Sequence, residues 1–89
     1  MKSISVQVTY RAGRPFAAYI DLGRRRREKT ARSVEISPEI VVDFARDERP
    51  IGIELVSPEA VTLDEVLEVF DQLGIARPDP SELAPLHAA

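Results

Sequence analysis

Apolar and polar residues alternate with a period of two along the first half of the chain. In residues 4–10, ISVQVTY, the side chains of Ile4, Val6 and Val8 fall on one side and polar side chains on the other, which is typical of a strand with one buried face. Apolar stretches of similar length follow at residues 16–22, 34–36, 40–45 and 51–56. Glycine, proline and charged residues separate them, so the pattern predicts five strands with antiparallel neighbours.

The last two of these strands, in residues 40–56, have the form of a β-hairpin. Their apolar rows agree if Val42 faces Ile53 and Phe44 faces Ile51. A slip of one residue would turn one of the rows toward solvent, because successive side chains in a strand point to opposite faces. The pattern therefore predicts both the hairpin and its register.

The period changes from two to that of a helix after Pro58. The apolar residues at helical spacing are Leu63, Val66, Leu67, Phe70 and Leu73. Thr62 followed by Glu65 has the form of a capping box, and Gly74 suits a left-handed C-terminal cap. The order of elements predicts an α+β fold, an antiparallel β-meander of about five strands followed by one C-terminal helix packed on one sheet face.

The length and composition are those of one small globular domain. With 89 residues, 44% of them hydrophobic and 30% charged, the chain has room for a single domain, which we assign to residues 1–75. Residues 76–89 contain three prolines and no periodicity, so they are predicted to be disordered and their His87 solvated. The absence of cysteine excludes disulfides and thiolate metal sites. No leader or apolar span is evident in the sequence, so we expect a cytoplasmic protein with no membrane contact.

The net charge of −3 hides a strong asymmetry between the two parts of the chain. Residues 1–35 carry nine Lys or Arg against three Asp or Glu, which gives +6, and residues 36–89 carry three against twelve, which gives −9. Opposite charges on one small domain attract each other, either within a monomer or between subunits.

Several short segments resemble a known family. Tyr10 and the segments 18–22 (AYIDL), 42–44 (VDF) and 51–55 (IGIEL) are similar to positions of the small bacterial domains of unknown function that form family 2283. The resemblance covers about residues 4–57 and implies a small β-meander domain without established activity. Some members look like partners of small toxin-like proteins, so the resemblance also implies an antitoxin-like or accessory role.

Asp43 and Glu54 are the acidic residues that this resemblance singles out. In the predicted register they lie on the sheet face opposite the core, where Asp43 pairs with Gly52 and Val41 with Glu54. One interpretation is a solvent-facing pair bridged by an arginine, and the alternative is a pair that holds a divalent cation or transfers protons. Since no third ligand, nucleophile or phosphate loop accompanies them, we expect no catalytic residue, no metal site and no cofactor.

The leading functional hypothesis is a non-enzymatic interaction module that binds a small basic protein. The acidic residues predicted to contact that partner lie on the exposed face of the helix or on the open sheet face, and they are Asp64, Glu65, Glu68, Asp71, Asp43 and Glu54.

Four consecutive arginines form the most basic stretch of the chain and a possible anion-binding site: Arg24, Arg25, Arg26 and Arg27. Because they cannot all face one way on a strand, residues 23–29 are predicted to be an exposed loop that is expendable for folding. No aromatic residue lies between residues 20 and 43 and the rest of the chain is acidic. A solvated loop is therefore favoured over contact with an acidic protein, and nucleic-acid binding is disfavoured.

A homodimer is expected because one helix is narrower than the predicted sheet. A helix of about 10–12 Å diameter covers roughly half the width of five strands, and a second copy would cover the apolar rows that remain. A sheet curled around the helix is the alternative that stays open.

Overall fold

The computed structural model describes residues 4–87 and confirms an α+β fold. Five strands form one antiparallel sheet: β1 (Ser5–Arg11), β2 (Arg14–Asp21), β3 (Arg32–Ser37), β4 (Ile40–Phe44) and β5 (Pro50–Leu55). They are followed by a short 3₁₀ turn (Pro58–Ala60), the helix α1 (Leu63–Gln72) and a C-terminal 3₁₀ segment (Pro80–His87). Among these described residues no helix is long and apolar enough to cross a bilayer.

The last strand of the sequence lies at the centre of the sheet. The order of strands is β1-β2-β5-β4-β3, and every neighbouring pair is antiparallel. The hairpin β1-β2 and the group β3-β4-β5 are therefore joined by residues 22–31, which cross one end of the sheet and which we name the arch. At this central position Ile51, Ile53 and Leu55 of β5 are almost fully buried.

The core lies between one face of the sheet and the segments that follow β5. An apolar row crosses all five strands in register and consists of Val6, Ile20, Ile53, Val42 and Val34. The side chains of Val66, Val69 and Phe70 cover this face from α1. The predicted pairing of Val42 with Ile53 is thus confirmed.

Both ends of α1 are capped as the sequence predicts. The Thr62 side chain accepts a hydrogen bond from the Glu65 N–H, and the Glu65 carboxylate accepts one from the Thr62 N–H. At the other end Gly74 has a φ of 69°, and the N–H of Ile75 donates to the carbonyl of Phe70. Ile75 also packs against the core, which is the hydrophobic contact expected of this cap.

The prediction of a disordered tail is wrong for the part of residues 76–89 that the structure describes. Leu83 and Leu86 are 1% and 9% exposed and belong to the core, in a segment that packs along β1. Residues three apart share one face of a 3₁₀ helix, which turns once every three residues, so this spacing escapes a search for periods of two or 3.6. The side chain of His87 lies outside the described residues.

This tail also weakens the reason for expecting a second copy on the core face. The sequence predicts that one helix leaves about half of the sheet bare, but the 3₁₀ segment covers the β1 side of that face. Within residues 4–87, α1 and the tail together cover more of the core face than the one helix assumed in the sequence argument. The homodimer itself stays a prediction.

The hairpin register is predicted correctly except at its turn. Phe44 pairs with Pro50 and not with Ile51, because the register shifts between Asp43 and Phe44. Ile51 is the extra residue of this β-bulge, because Asp43 pairs with Gly52 while Phe44 pairs with Pro50.

Candidate functional site: a carboxyl pair on the open sheet face

The sheet face turned away from α1, which we call the open face, carries two polar rows that cross all five strands. One row consists of Gln7, Tyr19, Glu54, Val41 and Glu35, and the next consists of Ser5, Asp21, Gly52, Asp43 and Ser33. The predicted pairings of Asp43 with Gly52 and of Val41 with Glu54 are confirmed.

Asp43 is the only buried charged or polar residue identified within residues 4–87. It is 4% exposed, and its Oδ1 accepts a hydrogen bond of 2.7 Å from the Ser33 hydroxyl on the edge strand β3. It makes no ion pair with any described residue. A carboxylate is costly to bury unless its charge is compensated, so the second carboxyl beside it becomes important.

That second carboxyl belongs to Glu54, which is half-buried and lies diagonally across the strand pair from Asp43. A side-chain hydrogen bond with Asp43, the loss of solvent on burial and the charge of Asp43 all raise the pKa of Glu54, while the positive charge of Arg24 opposes them. Two carboxyl groups in hydrogen-bond contact hold one proton between them more easily than two negative charges. Glu54 therefore keeps its proton to a higher pH than an ordinary glutamate does.

Gly52 makes room for this arrangement. A side chain at position 52 would occupy the same space as the hydroxyl end of Tyr19, which crosses over the glycine from β2. A glycine inside a strand often marks such a close approach. The missing side chain thus places the Tyr19 phenol beside the carboxyl pair, and burial raises the pKa of Tyr19 even though Arg24 works against it.

Arg24 fastens the arch to the open face. Its guanidinium donates hydrogen bonds to the Tyr19 hydroxyl (2.6 Å), to the backbone carbonyl of Glu28 (3.1 Å) and to the Thr30 hydroxyl (3.3 Å). The Asp21 carboxylate accepts from the N–H groups of Gly23 and Arg24 and so fixes the start of the arch. The expectation that all four arginines are exposed is therefore wrong for Arg24, which is half-buried.

The other predicted anion-binding residues remain exposed. Arg25, Arg26 and Arg27 lie at the tip of the arch, and their side chains make no hydrogen bond or ion pair with the described residues. Glu28 is instead turned inward and pairs with Arg49 of the β4–β5 turn.

The acidic residues predicted to contact a partner lie in different environments in the structure. Glu65 is engaged in the helix cap, and Asp71 forms a bidentate ion pair with Arg77, which lowers the pKa of Asp71. Asp64 and Glu68 are exposed on α1 and make no hydrogen bond or ion pair with other described residues. Asp43 is buried and faces the opposite side of the sheet, so these residues do not form one surface.

A groove of about 340 Å³ runs over the open face beside Glu54. It is lined by small or polar side chains from β1 and β2, among them Thr9 and Ala17, and by the exposed apolar residues Phe16 and Val56. One end of the groove is therefore acidic and its rim is apolar. Across residues 4–87 no three metal-ligating side chains come together, so the site consists of two carboxyls, a phenol and an apolar rim.

Comparison with known proteins supports the family resemblance and assigns no activity. The model of DUF2283, a family of proteins of unknown function, matches residues 17–57, from the middle of β2 to the end of β5. The predicted resemblance is thus confirmed for residues 17–57, which leaves Tyr10 outside the match. The matched segment contains Tyr19, Asp43, Gly52 and Glu54. No curated protein and no solved structure matches the chain significantly.

Sequence reasoning missed the contacts that complete this site. The pairing of β2 with β5 brings Tyr19 opposite Glu54. These two strands are not consecutive in the sequence, so patterns within either strand do not predict that they pair. One signal was present, since Gly52 interrupts an otherwise apolar strand and so indicates a close approach of another group.

Proposed function

We propose that the protein is a non-enzymatic interaction module that accepts a lysine or arginine side chain of a basic protein partner in the groove beside Glu54. The observation that carries this proposal is a carboxyl pair that makes no ion pair with the described residues. One member of the pair, Glu54, lines an open groove. Arg24 offsets this charge only in part, because it acts on the carboxyls through its positive charge without forming an ion pair. A cation supplied by the partner would compensate the rest.

The shape and chemistry of the groove support a long basic side chain. The stem of a lysine or arginine is apolar and packs along apolar surface while its charged head reaches a polar group. In this groove Ala17 and Val56 would contact the stem, and the Glu54 carboxylate would accept a charge-assisted hydrogen bond from the head.

Exposed apolar side chains beside the groove support a protein as the source of that cation. Phe16 and Val56 are 48% and 54% exposed, and apolar anchors of this kind contribute most of the affinity in protein interfaces. An antitoxin-type role, with a small basic toxin-like protein as the partner, is the form of the proposal that the family resemblance suggests.

The proposal predicts a link between binding and protonation. A bound guanidinium lowers the pKa of Glu54, because an opposite charge nearby favours the ionised form. Binding therefore releases a proton wherever Glu54 is still protonated, and the affinity for a cationic side chain rises with pH through the range in which Glu54 titrates.

Acetyl-arginine amide is a suitable probe, and acetyl-citrulline amide is its uncharged isostere. We expect the arginine compound to shift the backbone NMR signals of groove residues, with a dissociation constant on the order of 1 mM for one charge-assisted contact. The citrulline compound should cause no comparable shift. Glu54→Gln should abolish the effect, whereas Glu35→Gln, which removes an exposed carboxylate of the same sheet row, should preserve it. Equal shifts with both compounds, or full binding to Glu54→Gln, would contradict the proposal.

A further inference from the structure

A second charged surface lies at the end of the sheet where the arch and the β4–β5 turn meet. These two loops are held together by the ion pair of Glu28 with Arg49 and by the hydrogen bond from the Ala31 N–H to the Phe44 carbonyl. The exposed cations that they carry are Arg25, Arg26, Arg27, Lys29 and Arg46. We call this group the cationic end.

The carboxylates at this end offset these five cations only in part. A hydrogen bond from the Arg49 N–H lowers the pKa of Asp47, and the positive charges of Arg49 and Arg25 help to lower it. Glu28 and Asp47 pair with Arg49, and Glu48 pairs with Arg32. No side chain of the cationic end makes a hydrogen bond or ion pair with any of the described residues. A chain with a net charge of −3 thus presents a local surface that is strongly positive.

The cationic end also lacks an apolar anchor. The large apolar side chains that are exposed among the described residues are Tyr10, Phe16, Ile36 and Val56. By strand register all of them lie toward the opposite end of the sheet, near the β1–β2 turn or the ends of β3 and β5. A protein interface draws most of its affinity from buried apolar or aromatic anchors, whereas phosphodiester backbones are bound by clustered cations alone.

We infer that the cationic end binds the phosphate backbone of a nucleic acid without reading its sequence. Arginine side chains donate paired hydrogen bonds that match phosphate oxygens, and each neutralised phosphate releases counterions into solution. Base recognition is not expected, because the rings of Tyr19 and Phe44 at this end are already in contact with Arg24 and Arg32 and no exposed aromatic remains for stacking.

Fluorescence anisotropy with the full chain and a labelled duplex of random sequence tests this inference. At about 50 mM salt we expect a dissociation constant of roughly 10–100 µM, which weakens steeply toward 200 mM salt as counterion release is lost. The slope of the logarithm of the binding constant against that of the salt concentration should be about −0.9 for each phosphate contacted. A second duplex of unrelated sequence should bind equally well.

Two variants with the same change in net charge identify the surface. Arg26→Ser with Arg27→Ser removes two charges from the cationic end, and Arg11→Ser with Arg14→Ser removes two from exposed positions at the opposite end of the sheet. We expect the first pair to weaken binding at least about tenfold and to reduce the salt slope by about 1.8, and the second pair to change neither by much.

Three results would overturn the inference. The first is no anisotropy change at low salt at the highest soluble protein concentration, and the second is an equal loss of binding in both variants. The third is that poly-glutamate of matched charge binds more tightly than duplex, which would assign the cationic end to an acidic protein. Circular dichroism of both variants checks that they fold.

Discussion

The hydroxyl of Tyr19 lies where a side chain on Gly52 would begin. The Tyr19 side chain reaches from β2 over the central strand on the open face of the sheet. It leaves no space for even a methyl group on residue 52. We therefore expect Gly52→Ala to destabilise the protein by about 1–3 kcal/mol, the usual cost of forcing extra volume into a packed site. Urea unfolding measures this difference.

A double-mutant cycle shows whether the Tyr19 ring is the cause. With Tyr19→Ala in place the obstacle is gone, so Gly52→Ala should then cost far less than it does in the wild type, since neighbouring substitutions are not additive. If Gly52→Ala costs the same free energy in both backgrounds, the close approach of the two residues is not what requires glycine.

Arg24 and Arg26 should behave differently although they are two residues apart in the arginine run. Arg24→Ser removes the hydrogen bonds to Tyr19, Thr30 and the Glu28 carbonyl, so we expect a loss of about 1–2 kcal/mol, typical of bonds to a charged group. Arg26→Ser removes no such bond and should leave the melting temperature nearly unchanged. Equal melting temperatures for the two variants would show that Arg24 does not hold the arch.

The tail should contribute to stability as part of the core. Leu83 is 1% exposed and packs in the main cluster, so Leu83→Ala is expected to cost about 2–5 kcal/mol in unfolding free energy. The neighbouring Ala84 is exposed, and Ala84→Ser is a matched control that should cost little. A Leu83→Ala variant as stable as the wild type would mean that the tail does not pack on β1.

Glu54 should make the protein less stable as the pH rises. Because the pKa of Glu54 is raised in the folded state, its stabilising contribution is fully present below the pKa of the unfolded chain and is lost as the pH rises through the folded pKa. Glu54→Gln keeps a hydrogen-bond donor toward Asp43 and has no proton to lose. Urea unfolding from pH 4 to pH 8 should show a smaller decline for this variant, while Glu35→Gln should follow the wild type. Parallel curves for the wild type and Glu54→Gln would contradict the shared proton.

Patterns that depend on neighbours in sequence predict much of this fold. The pairing of Val42 with Ile53 follows from the side-chain parity of two strands joined by a short turn, and the ends of α1 follow from Thr62 and Gly74. The position of Asp43 on the face opposite the core follows from the same parity. These features are set within one hairpin or one helix.

The features that sequence reasoning missed depend on distant contacts or on local irregularities of the backbone. The pairing of β2 with β5, which brings Tyr19 to Glu54, requires the arch to cross the sheet. The shift at Phe44 depends on one extra residue, Ile51, that forms a β-bulge, and alternation of apolar and polar residues does not reveal a bulge. Leu83 packs from a 3₁₀ segment, whose period of three residues is neither that of a strand nor that of an α-helix.

The carboxyl pair is central to this account, and the most direct test is the titration of the Glu54 side-chain carboxyl followed by its ¹³C chemical shift. In the free protein we expect a midpoint above the ordinary glutamate value of about 4.3, and acetyl-arginine amide should move that midpoint downward as the guanidinium replaces the proton. A midpoint at or below the ordinary value in the free protein would contradict the shared proton, and a raised midpoint that the probe leaves unchanged would contradict the proposed binding of a basic side chain.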